Sequence, residues 1–434
     1  RLVKVSDAAA LSAAVAQAQP GDQILLAPGD YALGTKLNLN RAGLPAAPIV
    51  LRAEQLGQAR LSFSDATGVV EGLHVQAPDW VIENLDIEGR CGDDSRCEHA
   101  LHIVGRADRT VVRHCRLHGF NAQIKGNGMD LGGAQGWVWP DDVVIAYSEF
   151  FNPGPRQTGN PVTPVDVVGG RRWVLRGNYI HDHAKGGGDG ISYAAFFKGN
   201  SRDGLMEQNL VVCEQLHRGR TRLGLSLGGG GSGPDRICED GICTPEHQGG
   251  ILRNNLILNC PADVGIYLNE AADSQVLYNT LYGGNGIDVR FAASSVNLVG
   301  NLMAGRIRDR DGGRSSRALN RENIGAAQWT AWFQDPAGLD LRPRAGAEIV
   351  DAGAALPALP DDYDVRPAAW AAGAAARAAA SDPGATPLPR ATATGSAGAT
   401  ATAQPTAQST EQPTAQPTTA PPAPSPRPSA TRGI

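Results

Sequence analysis

Apolar residues in this chain alternate with polar ones in short runs, and the runs recur. WVIENLDI from Trp80, VVRHCRL from Val111, VVIAYSEF from Val143, WVLRGNYI from Trp173, LMEQNLVV from Leu205 and ILRNNLIL from Ile251 share one pattern. A few apolar residues lead to a polar pair, then to Asn or a small substitute, then to apolar residues at alternate positions. The aligned turn residues are Asn84, Cys115, Ser148, Asn178, Asn209, Asn255, Thr280 and Asn301, spaced by 31, 33, 30, 31, 46, 25 and 21 residues. A period of two, broken by Gly, Asn and Pro, marks strands; helical repeats keep a period near 3.6. Self-similarity at such spacing marks stacked repeats. The pattern predicts an all-β parallel solenoid with short strands in each coil and a polar residue at a fixed turn. Stacked amides about 4.8 Å apart hydrogen-bond along the column, so these asparagines hold turns and do no chemistry.

The ends read differently. SDAAALSAAVAQAQPGD opens on a capping Ser-Asp pair, carries Leu11, Val15 and Ala18 on one helical face, and stops at Pro20-Gly21. A short helix there would cover the open edge of the first coil. Beyond Ser381 the chain is low in large apolar residues and rich in Pro, Thr, Ala and Gln, a composition that cannot offset its ordering entropy. The expected organisation is a cap with first strands over 1–60, the solenoid over 61–355, a closing segment over 356–380 and a disordered tail over 381–434.

Composition narrows the function classes. Lys+Arg 39 against Asp+Glu 44 gives a net charge of −5 with no basic block, which disfavours nucleic acid. No run approaches eighteen apolar residues, so membrane insertion is not expected. The chain begins at Arg1 and has no Met before Met129, which fits a signal peptide removed upstream. The expectation is a secreted or cell-surface monomer.

With those elements placed, a resemblance appears. Pro20-Gly21-Asp22, Leu25-Leu26, Pro28-Gly29, Tyr31, Pro48-Ile49 and the run from Gly72 to Ile87 resemble the N-terminal part of pectin-lyase-like right-handed parallel β-helix proteins. The likeness is nearest to polysaccharide lyases of the chondroitinase B and alginate lyase type. IVDAGAALPALPDDYDVRPAAWAAGA is similar to the closing signature of many secreted bacterial β-helices. The resemblance spans about residues 1–375. It implies that fold and, more coarsely, an acidic polysaccharide as partner.

Seven cysteines fit an oxidising compartment. Cys91–Cys97 and Cys238–Cys243 each close a small acidic loop and are expected to be disulfides. Cys115, Cys213 and Cys260 follow or occupy apolar runs and are expected to be buried thiols.

Solenoid enzymes work on an outer strand face, because side chains fill the inside. Aligning GMDLGG, PVDVVG, AFFKGN, GLSLGG, GIYLNE and GIDVRF points two columns outward. One holds Asp130, Asp166, Phe196, Ser226, Tyr267 and Asp288; the other holds Gly132, Val168, Lys198, Gly228, Asn269 and Arg290. Asp130 and Asp166 on adjacent coils would share a cation such as Ca²⁺ or raise one another's pKa. KGNSRDGLMEQN from Lys198 resembles the lysine turn of those lyases, which implies Lys198 as base, an Arg as helper and Ca²⁺ on the uronate carboxylate. The acidic pair that the family places just upstream is replaced here by Ile191 and Tyr193. The candidate roles are Lys198 as base and Arg222 or Arg290 as carboxylate partner. Tyr267, Asn269 and Asp288 would be substrate contacts, and Asp130 and Asp166 a Ca²⁺ site. The expected reaction is β-elimination on a uronate glycan. The alternatives are hydrolysis by paired aspartates and a non-catalytic glycan-binding solenoid. HDHAKGGGDG from His181 reads as a polar loop, and GGGGSG from Gly228 as the start of an insertion beside the strand face.

Overall fold

The computed structural model describes residues 1–229, 232 and 237–349. Each coil contributes one strand to each of three sheets; Val111–Arg113, Arg116–His118 and Ala122–Asn127 form one such coil. The first sheet stacks twelve strands from Leu2–Val5 to Arg314–Ala318. The second and third stack ten each, ending at Leu302–Met303 and Arg306–Arg310. Every pairing within these three sheets is parallel, with neighbours in strict register. Parallel crossovers take the right-handed sense, and the chain is a right-handed parallel β-helix.

Alternation along each strand sends one set of residues inward. Ile82, Val112, Leu175, Met206, Leu252 and Val276 of the first sheet are fully buried, as are Ile124, Val165, Leu225, Ile266 and Ile287 of the third. Gly126 takes one inward position because Trp173 fills the space beside it; a Cβ there would stand 2.5 Å from the indole. The interior is thus one continuous apolar core, at about 25 cal/mol per Å² of buried apolar area.

The turn between the first and second sheets uses two adjacent positions. The first is left-handed in coil after coil: Asn84, His114, Tyr147, Gly177, Gln208, Asn254, Tyr278 and Gly300 all have φ between +50° and +67°. The second is the ladder. Asn178, Asn209, Asn255, Asn279, Asn301 and Asn320 pass side-chain amide bonds of 2.8–3.0 Å from one to the next. Cys115 and Ser148 continue the column toward the N-terminus. Two expected ladder positions are therefore corrected. Asn84 occupies the left-handed position, with Leu85 in the column, and Thr280 begins the next strand, with Asn279 in the column.

Helix α1 (Ala8–Ala16) caps the N-terminal end. Asp7 accepts the Ala10 amide at 2.8 Å, and Leu11 and Val15 bury against the first coil. At the other end, α2 (Ala326–Trp332) and the hairpin Phe333–Asp335/Asp340–Pro343 fold back over the outside of the second sheet. There Trp329, Trp332, Phe333 and Leu341 bury with Tyr179, Val212, Leu256 and Leu258. The segments 356–380 and 381–434 lie outside the described residues.

Disulfides join Cys91 to Cys97 and Cys238 to Cys243, as expected. Cys213 and Cys260 are not thiols: they form a third disulfide across 47 residues. They follow the register pair Val212 and Leu258 on successive coils, which brings their side chains together. Cys115 is the free thiol, fully buried, and burial pushes its pKa up to about 12.

Candidate active-site groove

The outer face of the third sheet carries a column unlike an ordinary solvated surface. His74, His102, Lys125, Asp166, Phe196, Ser226, Tyr267, Asp288 and Arg308 occupy successive register positions. Two residues further along the strands lie Asn127, Val168 and Lys198, then Asn269, Arg290 and Arg310. From Asp166 onward these are the two columns expected from the sequence.

Asp130 is the exception. The coil strand is Ala122–Asn127, and the chain then leaves the sheet in a hairpin pairing Met129–Asp130 with Trp137–Val138. Asp130 is exposed and accepts the Gly132 amide at 2.9 Å. Lys125 takes the place expected for it, and its ammonium meets Asp166 at 2.8 Å. Asp130 thus stands outside the strand register that holds Asp166, and among the described residues neither aspartate belongs to a cluster of three or more metal-ligating groups.

Lys198 ends the strand Ile191–Lys198 and is half-buried. Its Nζ stands 4.6 Å from the centroid of the Phe196 ring, with no ion pair among the described residues. Burial lowers its pKa below the ordinary lysine value; Asp166 opposes that shift and Lys125 adds to it. Desolvation disfavours the charged form, and among the described residues no carboxylate in contact restores it. The turn after Lys198 is tied down by Glu246, which accepts the Gly199 amide at 2.7 Å, and by Glu239, whose own amide donates to the Gly199 carbonyl. Glu239 also pairs with Arg171 at 3.1 Å. The described part of the long insertion thus packs as a wall beside Lys198.

Along the groove, Tyr193 packs edge-on to Phe196, with centroids 5.5 Å apart, and lies 6.4 Å from Tyr267. Burial raises the pKa of both tyrosines, so each phenol stays protonated. Arg290 donates to the Tyr267 hydroxyl at 3.3 Å and to Asp311. Asp288 is buried between Arg308 and Arg310, and the Asn269 side-chain oxygen is buried without a partner among the described residues.

Arg222 lies elsewhere. It pairs in register with Ser192, four residues before Phe196 along the strand. It is 1% exposed and donates to the carbonyls of Cys213 and Gly219 and to His217. It supports a loop and does not reach the groove. The HDH loop is likewise structural: Asp182 accepts the amides of Gln215, Leu216 and His217, and burial lowers the His183 pKa to about 3.

The sequence assigned no site role to Lys125 and read Tyr193 only as a replacement for an acidic residue. A signal existed for Lys125, because Lys125-Gly126-Asn127 repeats as Lys198-Gly199-Asn200. Tyr193 gave none, lying outside the aligned six-residue segments.

No protein-family model matches the chain, and no curated protein matches it. Among solved structures, pectate lyase Pel9A superposes with a TM-score of 0.53 over 80% of this chain and 87% of that one, at 14% identity. A family 6 polysaccharide lyase, Pedsa3628 from Pseudopedobacter saltans, gives 0.39 over 81% and 97%, at 15% identity. A GH136 lacto-N-biosidase from Eubacterium ramulus gives 0.49 over 75% and 68%, at 13% identity. At such identities the likeness bears on the fold alone: the chain is a pectin-lyase-like right-handed parallel β-helix, sharing that fold with pectate lyase Pel9A.

Proposed function

We propose that this chain is a carbohydrate-active β-helix that cleaves a uronate-containing polysaccharide by β-elimination, with Lys198 as the base. The observation that carries the reading is the state of Lys198: half-buried on the outer groove, without an ion pair among the described residues, its pKa lowered by burial. A lysine base must lose its proton near working pH, and desolvation shifts Lys198 in that direction.

In the proposed step the Lys198 amine takes the proton from C5 of the uronate. The electron pair becomes the C4–C5 double bond, conjugated with the carboxylate, and the C4–oxygen bond breaks. The resulting Lys198 ammonium lies on the same face and returns a proton to the leaving oxygen. Lys125 lies two coils before Lys198, roughly 10 Å, and Arg290 three coils beyond it, roughly 14 Å. Those cations would hold carboxylates of flanking sugars, with the half-buried Tyr193 offering a ring edge or face to a pyranose. Asn269 and Asp288 would line the same track.

The test is an absorbance screen for unsaturated uronate ends across alginate, pectate, chondroitin and heparin-type glycans. Activity on one of them supports the reading; no activity on any of them, with binding retained, favours a glycan-binding solenoid.

A further inference from the structure

Three coils before the strand that bears Lys198, the same outer face carries a second cluster. Glu71 and His74 stand three residues apart on one coil, and His99 and His102 stand three residues apart on the next. Leu73 pairs with Leu101 and His74 with His102, so the two pairs stack one strand spacing apart. Donor atoms of Glu71, His99 and His102 all lie within 4.8 Å of one another.

The hydrogen bonds around the cluster leave its donors facing each other. The Asn127 side-chain amide donates to the Gly128 carbonyl at 2.8 Å, which fixes the amide's orientation. Its oxygen then accepts the His102 Nε2 proton at 2.7 Å. In the neutral tautomer His102 Nδ1 is therefore a bare lone pair, and it points at a Glu71 carboxylate oxygen 3.2 Å away. Two lone pairs at that distance repel unless a proton or a cation lies between them. The other Glu71 oxygen is held by Lys36 at 2.7 Å. Among the described residues His99 Nδ1 and His74 Nε2 are buried without a hydrogen bond, and the His74 side chain is nine-tenths buried. Buried polar atoms without partners are uncommon and call for a ligand.

We infer that Glu71, His99 and His102 form a binding site for a zinc-class divalent cation. Imidazole nitrogen with one carboxylate suits zinc, and three protein ligands leave a fourth position for an exogenous oxygen ligand. Asn127 on His102 and Lys36 on Glu71 are the outer partners that fix ligand orientation. His74 stands beside the site, its Nδ1 3.3 Å from Glu71. Lys36 and Lys125 oppose the cation by charge. Where a proton sits between His102 and Glu71, zinc displaces it and binding releases one proton. The inference does not rest on the lyase reading.

The test strips the full chain with chelator, desalts it and titrates zinc against a chromophoric chelator, with Co²⁺ as spectroscopic reporter. One equivalent of zinc is expected, with the visible absorption of four-coordinate Co²⁺. His99→Ala/His102→Ala should lose that equivalent, and Asn127→Ala should weaken it roughly 10–100-fold. Metal-free melting curves of the variants, and the milder Glu71→Gln, separate ligand loss from misfolding. Zinc uptake no greater than that of the double variant would overturn the site. So would a His102 that titrates as an imidazolium paired with Glu71 and is unmoved by zinc.

Discussion

Lys198 is drawn out of water without a carboxylate in contact among the described residues. Its folded pKa lies below the unfolded value, so between the two the folded state binds fewer protons and stability rises with pH. Below the unfolded pKa the folded protein bears the cost of that shift. Lys198→Met should therefore leave the melting temperature at pH 7 unchanged or higher while removing turnover; thermal unfolding beside an activity assay checks both, and a clear drop in Tm would contradict the desolvation argument. The same shift sets the pH profile: kcat/KM should rise with pH through a pKa lower than that of an ordinary lysine, because only the neutral amine accepts a proton. The neighbouring acids separate by position. Asp166→Asn frees Lys125 from its partner and removes the carboxylate that opposes the lowering of the Lys198 pKa, so the rise of kcat/KM should move to lower pH, whereas exposed Asp130→Asn should leave activity and its response to added Ca²⁺ unchanged. Equal effects from the two would restore a shared site.

At the scale of elements, the ladder holds the turns. Asn209 is fully buried; it donates to the Leu175 carbonyl and to Asn255, and accepts from the Asn178 backbone and side chain. Asn209→Leu leaves those groups without partners, each at about 1–3 kcal/mol. Denaturant unfolding should show a loss of that order or more, and Asn84→Ala, outside the column, a smaller one. Cys213–Cys260 clamps two successive coils, and Cys213→Ala/Cys260→Ala should cost about 2–5 kcal/mol. Non-reducing mass spectrometry should find three bridges, with Cys115 unreactive until the protein unfolds. The sequence made the coil legible because strand alternation and the Asn column both repeat. The register failed where two residue types can fill either turn position: Asn254-Asn255 places Asn at both, and at Asn84 only the left-handed one carries it. The third-sheet strand Ala122–Asn127 was hidden because Gly126 stands where an inward apolar residue is expected, and the neighbouring GMDLGG alternates better. Cys213 and Cys260 looked unrelated because a 46-residue coil separates them, although both follow a second-sheet strand.

For the whole molecule, stacking coils turns sequence repeats into a linear track of side chains at strand spacing. That track carries His and Glu toward one end, Lys125, Asp166 and Lys198 in the middle, and Tyr267, Arg290 and Asp288 toward the other. On the proposed reading the track takes a chain-like anionic ligand with its reacting sugar at Lys198. The most direct measurement is absorbance of unsaturated uronate product formed by the wild-type protein and by Lys198→Arg, on the glycan that the screen identifies. Arg keeps the charge and cannot serve as base at working pH. The account predicts product from the wild type and none from a folded Lys198→Arg that still binds the glycan. Undiminished product from Lys198→Arg would contradict it.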